Sequence, residues 1–422
     1  MMCQPIFSNR KEHTYPFGGE EMITFIHAAD LHLDTPFSGI EQTSKELAEK
    51  LRQAPYESLA NIVDLAIEKN VDFVLLAGDL YNTKRVNIKA QSLFIDQLNR
   101  LDKAQIKVFV TRGNHDYLTE SEQTLTLPFP DNVYQYDAEV STHIIETKQN
   151  KRVAVSGFSY DSQWIFDRKI EEYPNRANNI DRHIGMLHGS ADSVVSTEAN
   201  YAPFTLNELQ EKNYDYWALG HIHMRQKLAQ NIHYPGNIQG LHKNETGEKG
   251  CLLIEWDNHT QQTHFIPTAP IIWETVETDI SAVQNVAELF EALRGEMKTL
   301  NTEREVLVHL TLRSNEDYNE QIVSLIQEPH FNEQLTKQLN LPNIWIVAID
   351  FILEEVHDTQ TLENRYPEMW QKATDKALAA QSFAEMTEGI FKQIPSKYLN
   401  EINSEEYRQK MIEKANAKIH LN

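Results

Sequence analysis

Between residue 22 and about residue 270, short β-branched runs alternate with amphipathic stretches. ITFIHAAD, from Ile23, reads as a strand, as do VDFVLLAGD, IKVFVTRGNHD, RVAVSGF, HIGMLHG, YDYWALGHIH and GCLLIEW. SLANIVDLAIEKN places Leu59, Ile62, Val63, Ala66 and Ile67 on one face of a helix, and AQSLFIDQLNRLDKA is a second helix. Such alternation predicts an α/β domain with mixed sheets over 22–270. After Pro267 and Pro270 the pattern changes. Strands at IIWETVETDI, REVLVHLTLR and IWIVAIDFIL then enclose helices at AVQNVAELFEALRGEM and YNEQIVSLIQ, which predicts a small α+β domain over 271–356. The tail, 357–422, reads as helices with a break at Pro395. Residues 1–21 carry no periodicity. The GGEEM run suggests an extension upstream of a natural start at Met22, the alternative being a disordered arm.

The polar residues cluster where the predicted strands end. Asp30 and His32 follow the first strand, Asp79 the second and Asn114, His115 and Asp116 the third. His188 ends a later strand, and His221 and His223 follow YDYWAL. Ligand sites of α/β sheets collect at such ends. Carboxylate, amide oxygen and imidazole together suit Mn²⁺, Fe²⁺ or Zn²⁺. Two such ions, about 3.5–4 Å apart, could share one carboxylate. Asp79, the lone acid at its strand end, is the natural bridge, and Gly78 and Gly113 allow close backbone approach. Each motif alone also fits a capped turn or a surface imidazole. Five of them, in this order, favour a metal site.

D-x-H, GD, GNHD, a lone His followed by Gly, and GHIH together resemble the calcineurin-like metallophosphoesterase superfamily over about 22–270. YPGNIQG and the added α+β unit resemble the SbcD-type DNA repair exonucleases, and HAADLHLDTPF their YhaO-like branch. The resemblance implies a two-sheet αββα sandwich, a capping domain and a helical tail. It also implies two divalent metal ions, with Mn²⁺ the expected species. Asp30, His32, Asp79 and His223 would hold the first, and Asp79, Asn114, His188 and His221 the second. His115 would stabilise the transition state and protonate the leaving oxygen, with Asp116 orienting it. Asn82 departs from the pattern, because some family nucleases carry His there.

Other candidates read as structural. His27 lies on the strand face opposite Asp30, and Asp34 belongs to a turn. His143, His183, His233 and His242 lack motif support. Tyr81 and Tyr117 could stack a base but fit packing better, and Arg112 could meet phosphate or solvent equally.

The net charge of −23 weighs against unaided binding to a phosphate backbone, so metal ions or a partner would have to supply positive charge. Cys3 and Cys251 make no disulfide framework, which suits the cytoplasm. No apolar run nears the roughly 20 residues of a membrane span. Three functions compete. Metal-dependent hydrolysis of DNA leads, because the added domain could grip DNA. A phosphodiesterase or phosphatase for small molecules or phosphoproteins would use the same site. A non-catalytic scaffold would not need His115. The resemblance further implies a homodimer through the catalytic domain, for which VNIKAQSLFIDQLNRL offers Ile88, Leu93, Phe94 and Leu98 unless these pack on the sheet. It also implies an SbcC-like coiled-coil ATPase, for which the tail offers a dock unless its helices cover the capping domain.

Overall fold

A computed structural model describes residues 22–38, 40, 45–82, 88–118, 127–192, 201–257, 260–300, 303–315, 319–328, 330–353, 366–369 and 372. The N-terminal 21 residues, and all of 357–422 but those last five, fall outside it, and with them the readings made there.

The chain opens with β1 (Ile23–Ala28), α1 (Lys45–Glu68), β2 (Phe73–Ala77), α2 (Ile88–Lys103), β3 (Lys107–Thr111) and β4 (Val133–Gln135). It continues through β5 (Ser141–Glu146), β6 (Arg152–Gly157), β7 (Arg182–His188), α3 (Leu206–Glu211), β8 (Tyr216–Gly220), β9 (Gln226–Ala229) and β10 (Ile232–Tyr234). β11 (Gly250–Trp256) and β12 (Gln261–Pro267) return to the first sheet. That sheet runs β12-β11-β1-β2-β3-β4 and the second runs β5-β6-β7-β8-β10-β9. β1, β2 and β3 are mutually parallel, as are β6, β7 and β8, so their C-terminal ends point one way within each sheet.

Strand alternation builds the layers. Phe25, Phe73, Leu75 and Phe109 face the second sheet and meet Val155, Met186, Tyr216 and Ala218. Ile26, Val74, Leu76 and Val108 face the other way, against Leu59, Ile62 and Val63 of α1 and Phe94 and Leu98 of α2. The outer face of the second sheet is covered by Phe158, Tyr160, Tyr173 and Trp217 with the loops around them. This is the expected two-sheet metallophosphoesterase architecture. His27 lies between the sheets, its Nδ1 3.1 Å from the Tyr216 hydroxyl and its Nε2 3.0 Å from Leu219 O.

Two expectations change. The sequence reading places the first helix in SLANIVDLAIEKN, from Ser58, but α1 begins at Lys45 and carries Pro55 inside it. Its first half is held by tertiary packing: Leu47, Leu51 and Ala54 bury against Ile271, Trp273 and Leu307. Of the four α2 residues offered for a dimer contact, Phe94 and Leu98 are buried on the first sheet, Leu93 is half-buried and Ile88 is exposed.

Beyond Pro267 come β13 (Ile271–Asp279), α4 (Val286–Met297), β14 (Glu305–Ser314), α5 (Glu320–Ile326), α6 (Phe331–Leu339) and β15 (Ile344–Leu353). The three strands form a sheet in the order β13-β14-β15. The described parts of Met1–Thr278, Val283–Leu312 and Glu320–Phe351 make one compact unit. The second unit comprises the described parts of Asp279–Ala282, Arg313–Asn319 and Ile352–Asn422; within it Ile280 N–H donates to Arg313 O at 2.8 Å.

Phe25 stacks on Phe73 at 4.8 Å and meets Tyr216 and Trp256 edge-on, with no solvent exposure. Phe25→Ala is expected to cost about 3–5 kcal/mol, measured by denaturant unfolding.

Candidate metal centre

Of the nine residues singled out from the strand ends, His188 is the last residue of β7 and the other eight lie on the loops that leave β1, β2, β3 and β8. The backbone there is unusual. Asp30 (φ 52°), His32 (φ 43°), Asp79 (φ 45°) and His221 (φ 99°) are left-handed, which costs a non-glycine residue on the order of 1–3 kcal/mol. Backbone bonds hold the shape: Asp30 N–H donates to Gly78 O and His32 N–H to Asp79 O. His115 N–H donates to Asp79 Oδ1 at 3.0 Å, and His221 N–H to Asp30 Oδ1 at 3.0 Å.

The glycines fit the same logic. A Cβ on Gly78 would come 2.1 Å from His188 Nδ1, and one on Gly113 2.2 Å from Asp79 Oδ1. A Cβ on Gly220, at the end of β8, would lie 1.9 Å from Ala77 O.

Two groups of donor atoms result. Asp30, His32 and His223 offer ligand atoms within 4.8 Å of one another, as do Asp30, Asp79 and His188. Asp79 Oδ2 stands 3.8 Å from His32 Nε2 and 3.4 Å from His188 Nε2, so it borders both. Asn114 Oδ1 lies 3.1 Å from His188 Nε2 and 3.2 Å from His221 Nδ1. The seven expected ligands are thus brought together. All are buried except His223, which is partly so.

The donors oppose one another in a way that calls for a cation. Glu245 Oε1 accepts a hydrogen bond of 2.5 Å from His223 Nδ1, which puts the lone pair of the neutral ring on Nε2. That nitrogen faces His32 Nε2 at 3.0 Å. If His32 carries its proton on Nδ1, two lone pairs face each other; if on Nε2, the buried Nδ1 has no partner. His188 differs: Nδ1 donates to Ala77 O at 3.1 Å, and Nε2 faces the Asn114 oxygen at 3.1 Å, where the proton that the neighbouring carboxylates hold on the ring stands in the place a cation would take. Burial opposes ionisation of Asp79, yet His188 and His32 outweigh it and hold its carboxyl well below the usual range. Burial likewise lowers His188, but Asp79 and Asp30 reverse this and raise it to about 9. The donor set fits divalent ions of the Mn²⁺, Fe²⁺ or Zn²⁺ kind.

His115 is the exposed member of the set, its ring centroid 5.1 Å from that of His32. Asp116 corrects an expectation. Its carboxylate does not meet the His115 ring, because Oδ1 accepts Gly113 N–H at 2.9 Å and Oδ2 accepts Leu80 N–H at 3.1 Å. It ties the β3 loop to the β2 loop. Tyr81 and Tyr117 are buried in the two outer cores, and Asp34 Oδ1 accepts Asn82 N–H at 2.7 Å. Sequence reasoning missed Glu245 and Lys249. The latter is buried, with its Nζ donating to His223 O at 3.0 Å. Both sit in KNETGEKG, whose polarity reads as a surface turn and gives no signal of burial.

The chain belongs to the calcineurin-like phosphoesterase family, whose model matches residues 23–225. Among its relatives is the uncharacterized metallophosphoesterase YhaO of Bacillus subtilis, 35% identical over 282 residues, which are 66% of this chain and 68% of that protein. The DNA double-strand break repair protein Mre11 of Nanoarchaeum equitans is 27% identical over 56% of this chain and 66% of its own length. Mre11 of Thermoplasma acidophilum is 22% identical over 88% and 98%. The chain is therefore a metal-dependent phosphoesterase by family. Among the described residues no helix is long and apolar enough to cross a membrane.

Gly113→Ala is expected to displace Asp79 or His188 and to lower metal affinity at least tenfold by calorimetry. The melting temperature of the metal-free protein should stay within a few degrees of wild type.

Proposed function

We propose that this chain is a dimetal phosphodiesterase acting on DNA, an SbcD-type repair exonuclease. The observation that carries the reading is the pair of donor groups bordered by one carboxylate, Asp79, with an exposed imidazole, His115, at their rim. In this reading Asp30, His32, Asp79 and His223 hold one ion, and Asp79, Asn114, His188 and His221 the other. Mn²⁺ is the proposed species. The ions, when bound, would supply Lewis acidity at the phosphate and an activated water. Asp79 fixes their spacing. His115 contacts the phosphate oxygens as charge builds and protonates the departing oxygen. Asp116 acts on His115 indirectly, by holding the Gly113 end of the loop.

Several features support DNA as the substrate. Relatives that cover much of the chain are named as DNA double-strand break repair proteins. β13 to β15 add a three-stranded sheet beyond the two-sheet sandwich. The division proposed is a nuclease domain over 22–270, a capping domain over 271–356 and a partner-binding tail over 357–422. The proposed partners are a second copy of the chain, through the exposed side of α2 around Ile88, and an SbcC-like ATPase on the tail. The proposed compartment is the cytoplasm, which suits the free, buried Cys251. The charge of −23 favours a second reading, a phosphodiesterase or phosphatase for small molecules or phosphoproteins.

Comparing hydrolysis of linear DNA with that of a cyclic nucleotide separates the two readings. Cleavage of the cyclic nucleotide alone would overturn the first. Asp79→Ala is expected to lose both ions and all activity, and an intact metal content would refute the bridge. His115→Ala is expected to keep both ions while turnover falls roughly 100- to 1000-fold; loss of metal would make it a ligand instead.

A further inference from the structure

Glu245 has no place in the motifs, yet it is among the more deeply buried carboxylates of the chain, 6% exposed. Both oxygens are committed. Oε1 accepts from His223 Nδ1 at 2.5 Å, and Oε2 accepts Leu241 N–H at 2.6 Å. Lys249 Nζ and Asn237 N–H both donate to His223 O, so the residue is gripped at backbone and ring alike.

The loop that carries Glu245 is fastened at both ends to one residue of the three-stranded sheet. Trp273 Nε1–H donates to Gly240 O at 3.2 Å, and Gly247 N–H donates to Trp273 O at 2.9 Å. Gln239 Nε2–H adds a bond to Ile271 O at 2.8 Å. Trp273 is itself 1% exposed, packed with Leu47 and Leu51 of α1 and Leu307 of β14. Gly240 is required there, because a Cβ would lie 2.6 Å from Glu245 O.

We propose that Glu245 is the positioning residue of His223, and that residues 240–247 make His223's orientation depend on how Trp273 of β13 is seated. The inference rests on the dimetal reading above. Glu245 holds the His223 proton on Nδ1, so Nε2 presents its lone pair to the ion. A shift of β13 would move Gly240 O and Gly247 N together, carry Glu245 with them and turn the His223 ring. Of the two ions, only the one held by His223 would feel it.

Calorimetric titration of Mn²⁺ into the metal-free full chain tests this. Wild type is expected to take up two ions. Glu245→Gln sets an amide N–H₂ against either Leu241 N–H or His223 Nδ1–H. It should weaken one ion by on the order of 10- to 100-fold and leave the other unchanged. Trp273→Phe keeps a ring and removes the N–H, so it should weaken the same ion less. In Co²⁺-loaded samples the visible bands of one site should shift in both variants. Fewer than two ions in wild type defeats the dimetal reading. Two ions in wild type, with Glu245→Gln matching it or losing both equally, defeats the role of Glu245 and leaves that reading standing. An unchanged Trp273→Phe defeats the link to the sheet. If Glu245→Gln does not fold, nitrogen-15 NMR of Zn²⁺-loaded wild type decides: a proton on His223 Nδ1 is expected, and one on Nε2 contradicts the proposal.

Discussion

Buried ligand atoms crowded against one another govern this structure. His223 and His188 each give the Nδ1 proton to an acceptor, Glu245 Oε1 and Ala77 O, and turn Nε2 inward. These nitrogens face His32 Nε2 and Asn114 Oδ1, at 3.0 and 3.1 Å. Two buried carboxylates, Asp30 and Asp79, stand among them. Buried acceptors facing one another cost free energy unless a positive charge lies between them. The left-handed backbone at Asp30, His32, Asp79 and His221 adds to that cost. A divalent cation repays both terms, and the family to which the chain belongs is one of metal-dependent phosphoesterases.

The rest of the fold serves this convergence. Parallel pairing of β1, β2 and β3, and of β7 with β8, sends the C-terminal ends of each sheet toward one rim. Phe25, Phe73, Tyr216 and Met186 lock the sheets face to face, which fixes the distance between Asp79 on one and His188 on the other. Gly78, Gly113 and Gly220 remove the side chains that would keep those ends apart.

Much of this was legible in the sequence, for a local reason. A candidate metal ligand at a strand end leaves a short signature: an apolar or β-branched run, a glycine, then a polar residue, as in LLAGD and VTRGNHD. The layers followed from alternation along β1, β2 and β3. What escaped depended on distant partners. α1 continues through Pro55 because Leu47 and Leu51 find Trp273, which lies more than two hundred residues away. Asp116 binds two backbone N–H groups that no local pattern assigns to it. Glu245 is buried by the chain around it, although its own segment is polar.

The central claim is that the opposed donors are metal ligands and that Asp79 is shared. Anomalous diffraction from crystals grown with Mn²⁺ tests it most directly. Two peaks about 3.5–4 Å apart are expected, one on each side of the Asp79 carboxylate, with His223 Nε2 turned to one and His188 Nε2 to the other. A single peak, or peaks that leave Asp79 uncoordinated, would contradict the account.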